Sequence, residues 1–331
     1  MAPTTSQPKV QPQLFCIGIG AASGAGKSTT SKLICQVLQN AIKRASAEVG
    51  HETFLDREVT NVRIAVQDSH FIPPNEQKWP LIQLPDPASS GTQSRITVPD
   101  RECIEAINFV TLHDEVLRTG STEWDDTFSR IDSMSPLGDY TDLATSVLQK
   151  ALVRAYAHRR DAGNADGPFF KTRPEDGLPT LSCSFTIVEG HLVLAQPSEE
   201  LPDDAEYRVF VAKQRQEQDE LKRLLDVKLF LPVSKETSFQ RRFQRPEYQD
   251  RSEANPDGRI PEHFWTYEPY SEHVFASYTN LHRHLLSSAN PEHDHGVHVR
   301  PEFVDSIGDT LVWCSNVIAQ AIMAKEGITG I

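Results

Sequence analysis

The 331-residue sequence is poor in cysteine: Cys16, Cys35, Cys103, Cys183 and Cys314 are scattered, and no two form a CxxC pair. An odd number at such spacing excludes a disulfide framework and a zinc knuckle as organising devices, and fits a reducing compartment. No run approaches the ~20 apolar residues that span a bilayer. The opening MAPTTSQPKVQPQ also lacks the apolar stretch of a secretory leader, so a cytoplasmic protein is expected. Positive charge is in deficit, with 33 Lys and Arg against 46 Asp and Glu and a net charge of -13. A broad surface for nucleic acid or an anionic membrane is therefore not expected, and any anion site has to be local. No segment repeats another, which excludes a solenoid. No NKxD or TKxD tetrapeptide is present, which argues against a GTPase.

Short apolar runs alternate with helical patterns. Residues 14–19, LFCIGI, read as a strand that runs through a Gly/Ser-rich turn into a helix with Leu33, Val37 and Leu38 on one face. Further strands are expected over 62–66, 185–188 and 227–231, and helices over 100–118, 213–225 and 307–322. Strands alternating with helices imply an α/β protein with a mainly parallel sheet covered on both faces. The expected organisation is a tail over 1–13 and a single domain over 14–331. Segments near 73–122, 163–180 and 196–222 look inserted, and a lid is expected near 236–258. The 22 prolines fit long irregular connections.

Ala21 to Ser28, AASGAGKS, matches (A/G)xxxxGK(S/T) where the first strand meets the first helix. Glycines there let successive backbone N–H groups point at phosphate oxygens, and the helix N-terminus adds its dipole. The expected phosphate-binding set is Ser23, Gly24, Ala25, Gly26, Lys27, Ser28 and Thr29. Lys27 reaches the β- and γ-phosphates, and Ser28 ligates Mg²⁺. ATPases and motor proteins share such a loop, so the other side of the site has to specify the chemistry.

Asp68 and Glu189 each follow a strand. Ligands of open α/β sheets bind beyond the carboxyl ends of strands, so the two acids should converge on the loop. Asp68 suits a general base and Glu189 a position in the metal shell, the alternative being solvated strand-end carboxylates. Arg241, Arg242 and Arg245 lie within five residues, and Arg241 and Arg245 share a helix face. They can neutralise a transferring phosphoryl group, or they form a solvated basic face. Trp124-Asp125 and Tyr248 are aromatic candidates for ligand contact, although Trp124 equally suits a core position.

The ordered string GAGKST, QDSHF, EWDDTFSRID, FTIVEGHLVL and QRRFQRPEYQ resembles the nicotinamide riboside kinases, relatives of uridine kinase among the P-loop kinases. The resemblance spans residues 14 to about 286 and leaves the inserted segments unmatched. It implies a P-loop kinase fold and transfer of phosphate from Mg-ATP to the 5′-hydroxyl of nicotinamide riboside or nicotinic acid riboside, feeding NAD synthesis. By matching position, Asp68 is the catalytic carboxylate and Glu189 stands near the metal. Asp125 binds ribose hydroxyls, Trp124 and Tyr248 sandwich the pyridinium, and Arg242 lies near the nucleoside, leaving Lys27, Arg241 and Arg245 for phosphate. Aromatic faces attract a pyridinium by roughly 0.5–2 kcal/mol. The sequence departs from the family at Ser69, where a second acid is frequent, and at His191, where an aromatic is usual.

The competing expectations are a uridine/cytidine or pantothenate-like kinase and a weakly catalytic nucleotide-binding scaffold. His293, His295 and His298 form an HxHxxH run that reads as a polar loop, with metal binding as the alternative. His282 and His284 are expected to sit near a helix end and interact with its dipole.

Overall fold

A computed structural model of the chain describes residues 13–50, 54–56, 60–73, 76, 80–85, 95–118, 137–163, 166–173, 175–197, 203–244, 268–302 and 304–329. In chain order the strands are β1 (Gln13–Ala21), β2 (Val62–Val66), β3 (Leu81–Pro85), β4 (Arg95–Pro99), β5 (Phe170–Thr172), β6 (Pro179–Leu181), β7 (Cys183–Gly190), β8 (Leu225–Leu231) and β9 (His298–Val299). The α-helices are α1 (Lys27–Val49), α2 (Phe109–Leu117), α3 (Gly138–Asp161), α4 (Ala205–Leu224), α5 (Lys235–Phe243), α6 (Glu268–Leu281), α7 (Arg283–Leu286), α8 (Pro291–His295) and α9 (Ile307–Lys325). The expected tail over residues 1–13 lies outside the described residues apart from Gln13, which opens β1.

The protein is mixed α/β. Five strands form one sheet in the order β2-β7-β1-β8-β9, and every neighbouring pair is parallel. The alternation within β1 explains how the sheet is covered. Phe15, Ile17, Ile19 and Ala21 point to one face, where they join α1, α3 and α9 in a core that includes Leu33, Leu38, Leu148, Phe185 and Ile318. Cys16 points to the other face, with Ala65, Val188, Leu112, Val116, Leu221 and Tyr278 from β2, β7, α2, α4 and α6. Gly18 and Gly20 alternate with the large residues because this second layer approaches closely. A Cβ on Gly18 would stand 2.5 Å from the Leu225 side chain, and one on Gly20 would stand 3.0 Å from Leu194.

The helices begin where their capping chemistry lies. The stretch expected to be one helix over 100–118 is a 3-10 turn, Ile104–Ala106, followed by α2. Ile107 is extended, and the Asn108 side chain accepts from the Thr111 N–H, so α2 starts there. The helix expected from 213 starts at 205 instead, capped by Asp204, which accepts from Tyr207 N–H at 2.7 Å. Most of the segment 196–222 is thus α4, the crossover that carries the chain from β7 to β8. Within 73–122 lie the β3–β4 hairpin and α2, and within 163–180 lie β5 and most of its hairpin partner β6.

Helix α9 is long and apolar enough to cross a membrane by length and composition, but its Leu311, Cys314, Ile318 and Ile322 are packed in the first core. Its burial follows from the 3.6-residue spacing of that apolar face. All five cysteines are unbridged.

Candidate functional site

The chain leaves β1 through residues 22–26 and enters α1. Gly24 and Gly26 hold φ of 81° and 91°, the left-handed region that disfavours any side chain. At Gly24 there is also no room: a Cβ would stand 2.7 Å from the Ser238 carbonyl oxygen. Gly26 caps α1 with no side-chain hydrogen bond, and the first turn holds no acid. The N-terminal N–H groups of a 23-residue helix thus lie beside Lys27 with no carboxylate of the helix's own first turn competing for them, which suits an anion. Lys27 folds back on the loop, its Nζ donating to the Ala22 carbonyl at 3.1 Å.

Strand register brings the acids to the same edge. Val66 at the end of β2 stands opposite Glu189 in β7, and Asp68 follows in the 3-10 turn Gln67–His70. The Ser28 hydroxyl donates to Glu189 Oε2 at 3.1 Å although 161 residues separate them. Glu189 is 4% exposed. Burial raises its pKa, Lys27 and the Ser28 hydrogen bond oppose the rise, and Asp68 adds to it. Asp68 has an open side chain, 67% exposed, with its Oδ1 3.9 Å from His191 Nδ1. The oxygen donors Ser28 and Glu189, with Asp68 close enough to act on Glu189, are the donor chemistry a hard divalent cation such as Mg²⁺ selects.

Gln67 was not singled out in the sequence, yet it organises this edge. It is fully buried, and its Oε1 accepts from the Leu192 N–H at 2.9 Å. A Cβ on Gly190 would fall 1.9 Å from that same Oε1. The Gln-Asp and Glu-Gly pairs therefore interlock: Gln67 occupies the space Gly190 leaves. His191 stacks on Phe71 at 5.9 Å, and its Nε2 lies 3.6 Å from Glu102 Oε2.

The lid region is described only as far as 244. Helix α5 sits on the glycine loop: the Ser238 hydroxyl donates to the Ser23 carbonyl at 2.7 Å, and Arg241 Nη1 reaches the Gly24 carbonyl at 3.4 Å. Arg242, four residues after Ser238 and on the same helix face, is buried at 6% exposure. A cavity of about 240 Å³ adjoins the start of α1, lined by Ala25, Gly26, Thr29, Arg241, Arg300 and Ile307 among others. Burial and then Arg241 lower the pKa of Arg300, so the two guanidiniums share one field. Sequence spacing gave no hint of Arg300, which lies 59 residues beyond Arg241 and is held by the Pro232 carbonyl at 2.8 Å.

Trp124, Asp125, Arg245 and Tyr248 lie outside the described residues. The histidine run does not converge: His293 pairs with Asp294, His298 pairs with Glu292, and His295 packs against His284. His282 directly follows the end of α6, the helix-end position expected for it, and is buried against Phe230, with Nδ1 2.9 Å from the Tyr278 carbonyl. No protein-family model matches the chain, and no curated protein matches it significantly.

Proposed function

We propose that this chain is a P-loop phosphotransferase that moves the γ-phosphoryl group of ATP to a small hydroxyl acceptor, with nicotinamide riboside or nicotinic acid riboside as first choice. The observation that carries this reading is the convergence of Lys27, Ser28, Glu189 and Asp68 at one edge of the sheet, under a glycine loop that α5 covers. The strand order, with the loop-bearing strand in the middle, supports the P-loop kinase fold.

Each residue has a task in that reaction. The loop N–H groups and Lys27, released from Ala22, bind the β- and γ-phosphates. Asp68 accepts the proton of the acceptor O–H while that oxygen bonds to the γ-phosphorus. The bond from γ-phosphorus to the bridging oxygen breaks, and its electron pair stays on ADP. Arg241, with Arg245 from the lid, balances charge on the transferring group. Ser28 and Glu189 would hold Mg²⁺, which neutralises phosphate charge when bound. The cavity by Arg241, Arg300 and Ile307 suits the nucleoside end of the donor. On the acceptor side, Asp125 and Arg242 bind the riboside, and Trp124 and Tyr248 flank its ring. A cytoplasmic location belongs to the same proposal.

A uridine or pantothenate-like kinase would use the same donor half, so the acceptor must be measured. Incubation of the chain with Mg-ATP and a panel of nicotinamide riboside, nicotinic acid riboside, uridine, cytidine and pantothenate should give a monophosphate of a pyridine riboside. Turnover of uridine with none of the pyridine ribosides would overturn the acceptor. Nucleotide binding with no transfer to any of the panel would favour the scaffold reading.

A further inference from the structure

The first and third segments that look inserted in the sequence meet one another through α2 and α4, which pack together over the second face of the sheet. Buried Gln214 Oε1 on α4 accepts from the Phe109 N–H at the start of α2 at 3.2 Å. About one turn further along each helix stand His113 on α2 and Glu217 on α4, and Glu220 shares the face of Glu217 at a spacing of i, i+3. One ring nitrogen of His113 and one carboxylate oxygen of each glutamate lie within 4.8 Å of one another, and all three residues are half-buried. None of the three belongs to the glycine loop or to the edge that carries Ser28 and Glu189.

Two histidine–glutamate pairs on α2 differ in a way that points to an ion. His70 Nε2 meets Glu115 Oε2 at 2.6 Å, the length of a charge-assisted hydrogen bond. His113 Nδ1 stands 3.6 Å from Glu217 Oε2, beyond hydrogen-bond range, although the two side chains are only 17% and 19% exposed. That separation is close to the edge of a metal site: bonds of about 2.1 Å at the tetrahedral angle put neighbouring donor atoms about 3.4 Å apart. The Gln216 side chain donates to Glu220 Oε1 at 3.0 Å, an outer contact that orients this carboxylate. Two carboxylates on one helix face repel each other, and a divalent ion between them and the imidazole cancels both charges. The imidazole nitrogen selects an ion such as Zn²⁺ over Mg²⁺, which prefers oxygen alone.

We propose that His113, Glu217 and Glu220 bind a divalent transition-metal ion of the Zn²⁺ class, which ties α2 to α4 and leaves one coordination position to water. The ion fixes the helix that in turn holds the Asp68 turn, because Thr111 Oγ1 and Glu115 Oε2 of α2 grip the His70 ring at 2.8 and 2.6 Å. Any effect on phosphoryl transfer rests on the role proposed for Asp68; the metal binding itself does not.

Calorimetric titration of the full chain with Zn²⁺, without nucleotide and in excess Mg²⁺ to fill any hard-ion position, tests the site. The native chain should take up a Zn²⁺ equivalent that His113→Ala and Glu217→Gln each weaken at least roughly tenfold, since even an outer partner of a ligand is worth that much. The joint His293→Ala and His295→Ala variant should keep that equivalent, which separates the site from the histidine run. Zn²⁺ should also slow amide exchange over residues 109–117 in the native chain and not in Glu217→Gln. Circular dichroism checks the fold of each variant, and Glu220→Gln keeps the test decisive if another does not fold. Absence of Zn²⁺ binding in excess Mg²⁺, or binding that survives these α2 and α4 substitutions and is lost with the histidine run, would overturn the site. A chain that phosphorylates none of the acceptors would sink the kinase proposal and leave these titrations readable.

Discussion

The two faces of the sheet are built on different principles. The face under α1, α3 and α9 is packed mainly by aliphatic and aromatic groups, with Phe15, Phe169 and Phe185 in mutual ring contact and buried Glu326 accepting from the Phe169 N–H at 3.0 Å. The opposite face interleaves apolar contacts with buried polar groups. Gln67 accepts from Leu192, Gln214 accepts from Phe109, and Gln218 donates to the carbonyls of Leu192 and Ala195 at 2.8 and 3.1 Å. The first arrangement gives stability through area and fit. The second gives positions, because a buried amide tolerates few geometries. The turn of Asp68 and the Glu-Gly strand end adjoin the second face, so the candidate site sits where placement is fixed by hydrogen bonds.

The comparison breaks most visibly on the apolar face. Phe185→Ala should cost about 3–5 kcal/mol of stability, read by denaturant melts, and leave the affinity of any folded fraction for nucleotide unchanged. Gln218→Ala on the polar face should cost less, about 1–3 kcal/mol, because it removes two buried hydrogen bonds without opening a large void, the Leu192 and Ala195 carbonyls keeping the Ala195 N–H and Lys222 Nζ as donors. If the two losses were equal, the distinction between the faces would lose its energetic basis. Gly190→Ala should cost about 1–3 kcal/mol and, by displacing Gln67, should also lower kcat; a loss of stability with unaltered turnover would show that Gln67 does not set the active edge.

The pH dependence sharpens the same contrast. His282, buried on the polar face, has its pKa lowered to about 3 by burial, and His284 is lowered to about 4 by burial and His295. Between these values and the ordinary 6.5 the unfolded chain binds protons that the folded chain refuses. Stability from this source is therefore full above pH ~6.5 and falls as pH drops toward 3. Melts of His282→Phe should show a shallower decline over that window than the native chain. The smallest effect is the one on nucleotide binding at Arg241, exposed and reaching the loop at 3.4 Å. Its replacement by Ala should weaken nucleotide binding only severalfold at low salt, and less at high salt.

Much of this was legible in the sequence, and the reasons differ by element. The strand, glycine turn and helix at 13–49 declare themselves because period, composition and turn chemistry agree locally. Asp68 and Glu189 could be paired because strand ends in a parallel sheet share an edge. Helix starts at 109 and 205 were misplaced, since Asn108 and Asp204 act as caps through side-chain hydrogen bonds that the apolar period does not carry. The crossover role of α4 was hidden by its charge, which is that of a solvated face. Gln67 and Arg300 were invisible because each is defined by partners far away in sequence.

The central claim is that Asp68 is the base of a phosphoryl transfer primed by the glycine loop. Single-turnover transfer from Mg-ATP to nicotinamide riboside, measured beside ATP affinity for the native chain and for Asp68→Ala, tests it most directly. The account predicts riboside monophosphate from the native chain, and in the variant a rate lower by roughly 10²–10⁴ with ATP binding nearly intact. An unchanged rate in the variant would contradict it.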